Sequence, residues 1–418
     1  MIAPKPGGAT GAPPLSLPLR FFLAGLTGLA AALLVLIGHV GALLRFQYGS
    51  GALLAATHLM TLGFISMVMM GAMYQLVPVV FNVKLSSVRL GAWHYAALVP
   101  GVVLMVSGFL THVAAFLMVG GTLVVLSVTL FLLNVARTLP NRAQWGLSGW
   151  FVATALGYLG FTVSMGWLLA WNLSHPFLAG DGLAVHLVLG GVGWFALALM
   201  GVSYKLLPMF SLTHAQPRWG WWAYGLLNAG VWIVGAGTWW WPRPAAALGA
   251  LVAAAALVLY AGDIRRLWRH RLRRQPDPAV YLALAGTVGG LATVGAAAWA
   301  AAGGPWSLVV FLFFYGWMAA SVLGYLQKLV PFLVWLHRYG PHVGRSAVPR
   351  MRDLLQERWS WMEGALYAAS TAGAAMGLAT ATRDLLLAGL SGMLLAVLWL
   401  LAVVIWVLRQ PSVPAAAP

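Results

Sequence analysis

Apolar residues in this chain run in long unbroken stretches, without the alternation of a half-buried strand. Twelve stretches stand out, over 19–44, 51–80, 92–111, 113–136, 149–172, 183–210, 220–241, 245–262, 279–302, 306–336, 364–382 and 384–408. A bilayer core about 30 Å thick is crossed by about 20 apolar helical residues. Hydrocarbon admits only helices or closed barrels, because every backbone polar group must be satisfied internally. Barrel strands alternate apolar and polar positions, and these stretches do not. The pattern predicts an all-α polytopic membrane protein with twelve transmembrane helices. The first stretch is too long for a signal-peptide core and is kept as a helix. Residues 1–18, rich in Pro and Gly, and the Pro/Ala tail 410–418 are expected to be disordered.

Composition agrees with this pattern. Hydrophobic residues make up 61% of the 418, and only 7% are charged, against about 25% in an ordinary soluble domain. That excludes a water-soluble globular enzyme. The net charge is +17, which on a soluble protein would suggest nucleic acid. Sorted by loop, it describes topology instead. Of the 24 basic residues only Arg45, Arg243 and Arg383 fall on one side; the other 21 fall on the side of the N-terminus. The positive-inside rule then places both termini in the cytoplasm, and a bacterial cytoplasmic (inner) membrane is the expected location. No nucleic-acid partner is implied. Membrane lipid is the expected partner, with the Arg cluster over 265–274 placed to touch anionic headgroups at about 1 kcal/mol per charge. The chain has no Cys, which excludes disulfides, thiolate ligands and iron–sulfur clusters.

The second, sixth and tenth stretches share a register. Gly63-Phe64, Gly71 and Pro78 recur as Gly193-Trp194, Gly201 and Pro208, and again as Gly316-Trp317, Gly324 and Pro331. The triplets Gln75-Leu76-Val77, Lys205-Leu206-Leu207 and Lys328-Leu329-Val330 precede the three prolines. Arg89, Gly91, Trp93, Tyr95 and Gly108 recur as Arg218, Gly220, Trp222, Tyr224 and Gly237. The repeat predicts three pseudo-symmetric arcs of four helices, over 19–140, 149–274 and 278–409, forming one membrane domain. Small residues at these positions let helix backbones approach closely.

Histidines divide by side. His94, His214, His270, His337 and His342 fall in or near the basic loops, where solvation is expected. His39, His58, His112, His175 and His186 fall near the opposite ends of the stretches. An imidazole inside lipid needs a partner: either a neighbouring helix or a cofactor. At about 100° per residue, His58 shares a face with Ile65 and Met69. His186 shares one with Gly190, Gly193, Leu197 and Tyr204, a groove of small residues in which a flat macrocycle fits. His58 precedes its glycine by five residues and His186 by seven, so the two are not repeat equivalents. Haem needs an axial His and an apolar slot. His58 and His186 are the candidate metal ligands, with His39 and His112 as further candidates. Arg45, Arg243 and Arg383, one per arc, are placed to pair with haem propionates. The Met residues crowding 60–73 read as core filler or as a copper path, and the 22 Trp mostly as interfacial belts.

The second stretch, with His58, Leu62, Gly63-Phe64, Gly71-Ala72 and Tyr74-Gln75-Leu76-Val77-Pro78, resembles divergent members of the haem–copper oxidase subunit I superfamily. In architecture the resemblance covers nearly the whole chain; in motif it is confined to the second and sixth stretches. It implies that His58 is an axial ligand of a haem and that His186 occupies the position of a copper ligand. The superfamily's histidine pair on the seventh helix and its ligands on the tenth are missing, since Trp221–Trp241 and 306–336 contain no His. The usual copper site is thereby lost. The chain is also similar to NnrS-type haem membrane proteins, in size, in the His followed by Gly-Phe and in the proline ending that helix. These likenesses imply one or two haem b groups, held by His58 with His186, His39 or His112. The implied role is nitric oxide or oxygen handling, or respiratory electron transfer, as an oxidoreductase. The implied partner is a respiratory redox protein or quinol, in a homo-oligomer or a larger complex. Two other functions suit the same sequence: a cofactor-free twelve-helix transporter, and a degenerate scaffold subunit of a respiratory complex.

Overall fold

The structure, a computed structural model, describes residues 13–81, 83–139, 145–178 and 181–411. The expected tails at 1–12 and 412–418 lie outside the described residues, as do Lys5 and Arg142. Ser16–Pro18, expected within the tail, instead form the first turn of a helix.

Among the described residues twelve long helices succeed one another: α1 (Ser16–Gly38), α2 (Gly51–His58, Leu59–Ser66 and Met67–Phe81), α3 (Val88–Thr111), α4 (Ala114–Thr138), α5 (Leu147–Ser174), α6 (Gly182–Val188, Leu189–Ala196 and Leu197–Ser211), α7 (Gly220–Gly237), α8 (Pro242–Arg269), α9 (Pro278–Ala301), α10 (Trp306–Phe311, Leu312–Ala319 and Ala320–Arg338), α11 (Glu357–Ala379) and α12 (Arg383–Leu408). A short helix, Val40–Leu44, follows α1, and no strand occurs among the described residues. Ten of the twelve are long and apolar enough to cross a membrane, so the chain is an all-helical polytopic membrane protein. The expected count of twelve is not reached on that criterion: α7 is diluted by Gly, Trp and Asn228, and α11 by Glu357, Arg358, Glu363 and a run of small residues. Local chemistry sets several boundaries. Ser87 Oγ accepts from Leu90 N at 3.1 Å and Asp181 Oδ1 from Ala184 N at 2.9 Å, capping α3 and α6. Pro242 and Pro278 open α8 and α9, where a missing N–H costs nothing. His112 and Leu212 end α3 and α6 in the left-handed conformation.

The middle parts of α2, α6 and α10 are π-helical, over Leu59–Ser66, Leu189–Ala196 and Leu312–Ala319. Each π segment is eight residues long, and the repeat glycines Gly63, Gly193 and Gly316 stand fifth in all three. The widened turns therefore recur in the register of the sequence repeat. α2 packs on α1, α6 on α5 and α10 on α9, while α3–α4, α7–α8 and α11–α12 form tight antiparallel pairs. α4 also packs on α5, α8 on α9 and α12 back on α1. α1 crosses α2, and α9 crosses α10, glycine on glycine, Gly28 on Gly63 and Gly289 on Gly316, and a Cβ at Gly28 or Gly289 would run into the opposing carbonyl.

The three π-bearing helices meet at the centre. Trp194 Nε1 donates to Ser66 Oγ at 3.0 Å, linking α6 to α2, and Tyr325 OH donates to Ser203 Oγ at 2.8 Å, linking α10 to α6. Between them lies a cavity of about 40 Å³, walled by Val68, Met69, Met73, Leu206, Leu326 and Leu329 among others. Met60, Met67, Met69, Met70 and Met73 are all buried, which suits thioether side chains filling irregular core space. Trp221, Trp222, Trp239, Trp240 and Trp241 stand exposed at the two ends of α7, as an interfacial belt requires.

Candidate functional site

His58 is the last α-helical residue of α2 before the π segment, and His186 stands three residues before the π segment of α6. Both are half-buried. His58 Nδ1 lies 2.8 Å from the Leu54 carbonyl oxygen one turn back. His186 Nδ1 lies 3.1 Å from the Thr162 carbonyl oxygen on α5. A carbonyl can only accept, so each Nδ1 carries the proton and each Nε2 keeps its lone pair. Neither Nε2 makes a hydrogen bond in the structure. The His58 ring stacks on Phe109 of α3, centroids 4.8 Å apart and 29° between planes. The His186 ring rests against Gly166 of α5, where a Cβ would stand 2.9 Å from Cε1.

This is the arrangement of a metal-ligating imidazole: one nitrogen held by a carbonyl, the other presenting a lone pair. His58 on α2 and His186 on α6 thus offer one such nitrogen each. Among the described residues, no group of three or more His, Cys, Asp or Glu is placed to hold a metal ion, so a copper site of the multi-histidine kind does not fit.

The remaining candidates are not gathered here. His39 breaks the chain between α1 and the short helix, with Nδ1 3.0 Å from the Val35 carbonyl oxygen, and it is exposed. His112 is exposed at the end of α3, its Cε1 beside Gly51 at the start of α2. Arg45, Arg243 and Arg383 are exposed and form no ion pair among the described residues; the Arg45 guanidinium folds back over Gly41. None of the five stacks on, ion-pairs with or hydrogen-bonds to His58 or His186.

One expectation about α6 needs correction. The face shared by His186, Gly190 and Gly193 is not an open slot: Thr162 closes on Gly190, and a Cβ at Gly193 would stand 2.8 Å from the Tyr158 ring of α5. Tyr204, further along α6, also rests against α5, its ring centroid 5.6 Å from that of Phe151.

Three buried ionisable groups escaped the sequence reading. His94, expected in a solvated loop region, is fully buried on α3 between Phe21 and Phe131, with Nδ1 2.9 Å from Tyr74 OH. Asp263 is fully buried on α8 and accepts from Arg218 N at 2.7 Å, Trp219 N and Tyr204 OH. Glu363, one residue before the predicted stretch 364–382, is buried on α11 and accepts from Gln327 Nε2. Each of the three bonds the residue three places after a repeat glycine: Tyr74 after Gly71, Tyr204 after Gly201 and Gln327 after Gly324.

No protein-family model matches the chain, and no curated protein matches it.

Proposed function

We propose that this chain is a haem-binding integral membrane protein of the haem–copper oxidase subunit I type, with twelve transmembrane helices in three four-helix arcs. The observation that carries the reading is the pair His58 and His186. They stand on two of the three π-bearing helices, each with Nδ1 held by a backbone carbonyl and Nε2 without a protein partner. Bound haem b supplies reversible one-electron chemistry and an affinity for diatomic gases. The chain's own part is to orient the two ring nitrogens through Leu54 and Thr162, to flank one ring with Phe109, and to keep water from the site. Arg45, Arg243 and Arg383 supply cations at the same end of the bundle for propionates. The likeness in sequence favours nitric oxide or oxygen handling, or electron transfer with a respiratory partner or quinol. The distribution of basic residues favours a bacterial cytoplasmic membrane with both termini cytoplasmic.

A second reading, a cofactor-free transporter, draws support from the filling of the α6 groove by Tyr158 and Thr162. Oxidised and reduced absorption spectra of the purified protein separate the two. The haem reading expects a Soret band that is lost or shifted in both His58→Ala and His186→Ala. A colourless protein without iron overturns it, and a Soret band indifferent to both substitutions overturns the ligand assignment. Co-purification with a cytochrome subunit carrying all the haem marks a scaffold.

A further inference from the structure

The residue three places after the repeat glycine Gly71, Gly201 or Gly324 is Tyr74, Tyr204 or Gln327. Each bonds a fully buried ionisable side chain from a later helix: His94, Asp263 and Glu363. His94 and Glu363 are also matched in place, each the seventh residue of its helix. The three sites are nevertheless finished differently. Asp263 is saturated by two backbone N–H groups and a tyrosine hydroxyl. His94 leaves Nε2 unpartnered, but aromatic rings wall it in. Glu363 is 1% exposed, and both its Oε1 and the Oε1 of Gln327 are buried without a hydrogen-bond partner.

The third site adjoins a polar vestibule. A cavity of about 40 Å³ opens between the starts of α9 and α11 and the end of α10, lined by Gln327, Lys328, Asp277, Ser360, Glu357 and Arg352 among others. Gln327 is thus both a wall of the vestibule and the partner of the buried carboxyl. That volume has room for water, and a proton bound at the carboxyl would satisfy an acceptor oxygen that is buried without a partner. The surrounding titratable groups are Lys328 and Arg273, both paired to Asp277, Glu357 and Arg352 at the vestibule, and Tyr367 one turn further along α11, whose OH donates to the Tyr315 carbonyl oxygen at 3.0 Å. The one nearby cation on α10, Lys328, is engaged by Asp277, so Glu363 has no cation partner of its own.

We propose that Glu363 is a proton-binding carboxyl, loaded and unloaded through this vestibule from the face of the membrane that carries most of the basic residues. Loading forms the Oε1–H bond with a proton delivered by vestibule water; unloading breaks it and returns the proton to the same water. No electron moves and no other reactant is needed. The inference does not rest on haem, and its readout is the same in a colourless protein.

The test is infrared spectroscopy of the full-length protein in lipid, titrated with pH in H2O and D2O. A protonated-carboxyl C=O band is expected that shifts on deuteration, declines as pH rises, is absent in Glu363→Gln and persists, shifted, in Glu363→Asp. Asp353→Asn, at an exposed carboxylate, leaves it unchanged. Ser360→Val, which narrows the vestibule, slows its deuteration. Three results overturn the inference: a band unaffected by Glu363→Gln; no acid band at any pH, meaning a carboxylate paired with another cation; or a Glu363 band that neither exchanges nor titrates, meaning a sealed structural acid.

Discussion

Gly324 offers a sharp test of the packing of α10 on α9. It lies on α10, and a Cβ there would stand 2.6 Å from both the carbonyl oxygen of Ala279 and the amide nitrogen of Ala283 on α9. Ordinary van der Waals contact begins near 3.4 Å. Gly324→Ala therefore demands a separation of about 0.8 Å, and the obstructing atoms are backbone, which cannot rotate aside. A gap of that size forfeits about a quarter to a half of each dispersion contact along the seam, and overpacking of this kind costs about 1–3 kcal/mol. The gain in helix propensity from Gly to Ala offsets about 0.5–1 kcal/mol. The net expectation is a loss of about 1–2 kcal/mol. Gly295, on α9 itself, has nothing within 4 Å of its would-be Cβ, so Gly295→Ala should be neutral or stabilising by up to about 1 kcal/mol. Reversible unfolding in mixed micelles, followed by intrinsic tryptophan fluorescence, compares the two. Midpoints for the two variants that agree within about 0.5 kcal/mol, a margin typical of independent surface changes, would refute the close approach of α9 and α10.

Two more outcomes follow from single contacts. Asp263→Asn turns one acceptor oxygen into a donor that faces the Arg218 and Trp219 amides and Tyr204 OH. It should cost about 2–3 kcal/mol and expose the segment 212–219 to protease; an unchanged digestion pattern and midpoint would contradict the contact. Gly166→Val drives a side chain into the His186 ring, which can swing aside because it is the free end of its side chain. The variant should unfold within about 1 kcal/mol of wild type, yet shift the spectrum of the haem-loaded protein. An unshifted spectrum would remove His186 from the site.

The repeat was legible because its markers are residues with few substitutes: glycines at tight helix crossings, Gly63, Gly193 and Gly316, then Gly71, Gly201 and Gly324, and prolines inside the three helices, Pro78, Pro208 and Pro331. Their spacing aligns the three π segments residue for residue. The π turns themselves left no mark, since an extra backbone residue per turn has no composition of its own. His58 and His186 could be singled out because imidazoles in apolar runs are rare. Asp263 and Glu363 could not, because each lies near a helix end where a carboxylate reads as solvated. Burial there depends on which neighbouring helix covers the end, and that is a long-range property. The same holds for His94, sealed by Phe21 from α1 and Phe131 from α4.

The shared π segments also work as phase shifters. An α-helix turns about 100° per residue, so a one-residue deletion within Leu59–Ser66 would leave Gly71 and Pro78 seated and swing His58 about a quarter-turn around the axis. The widened turn thus divides each central helix into two halves that are indexed independently. The half toward the basic loops keeps its glycine and proline markers in all three helices, with Gly71 and Gly201 seated on Phe21 and Phe151 and Gly324 on the backbone of α9. The half beyond the turn can change its chemistry, imidazole in α2 and α6 and none in α10, without disturbing the joint on which the bundle is built.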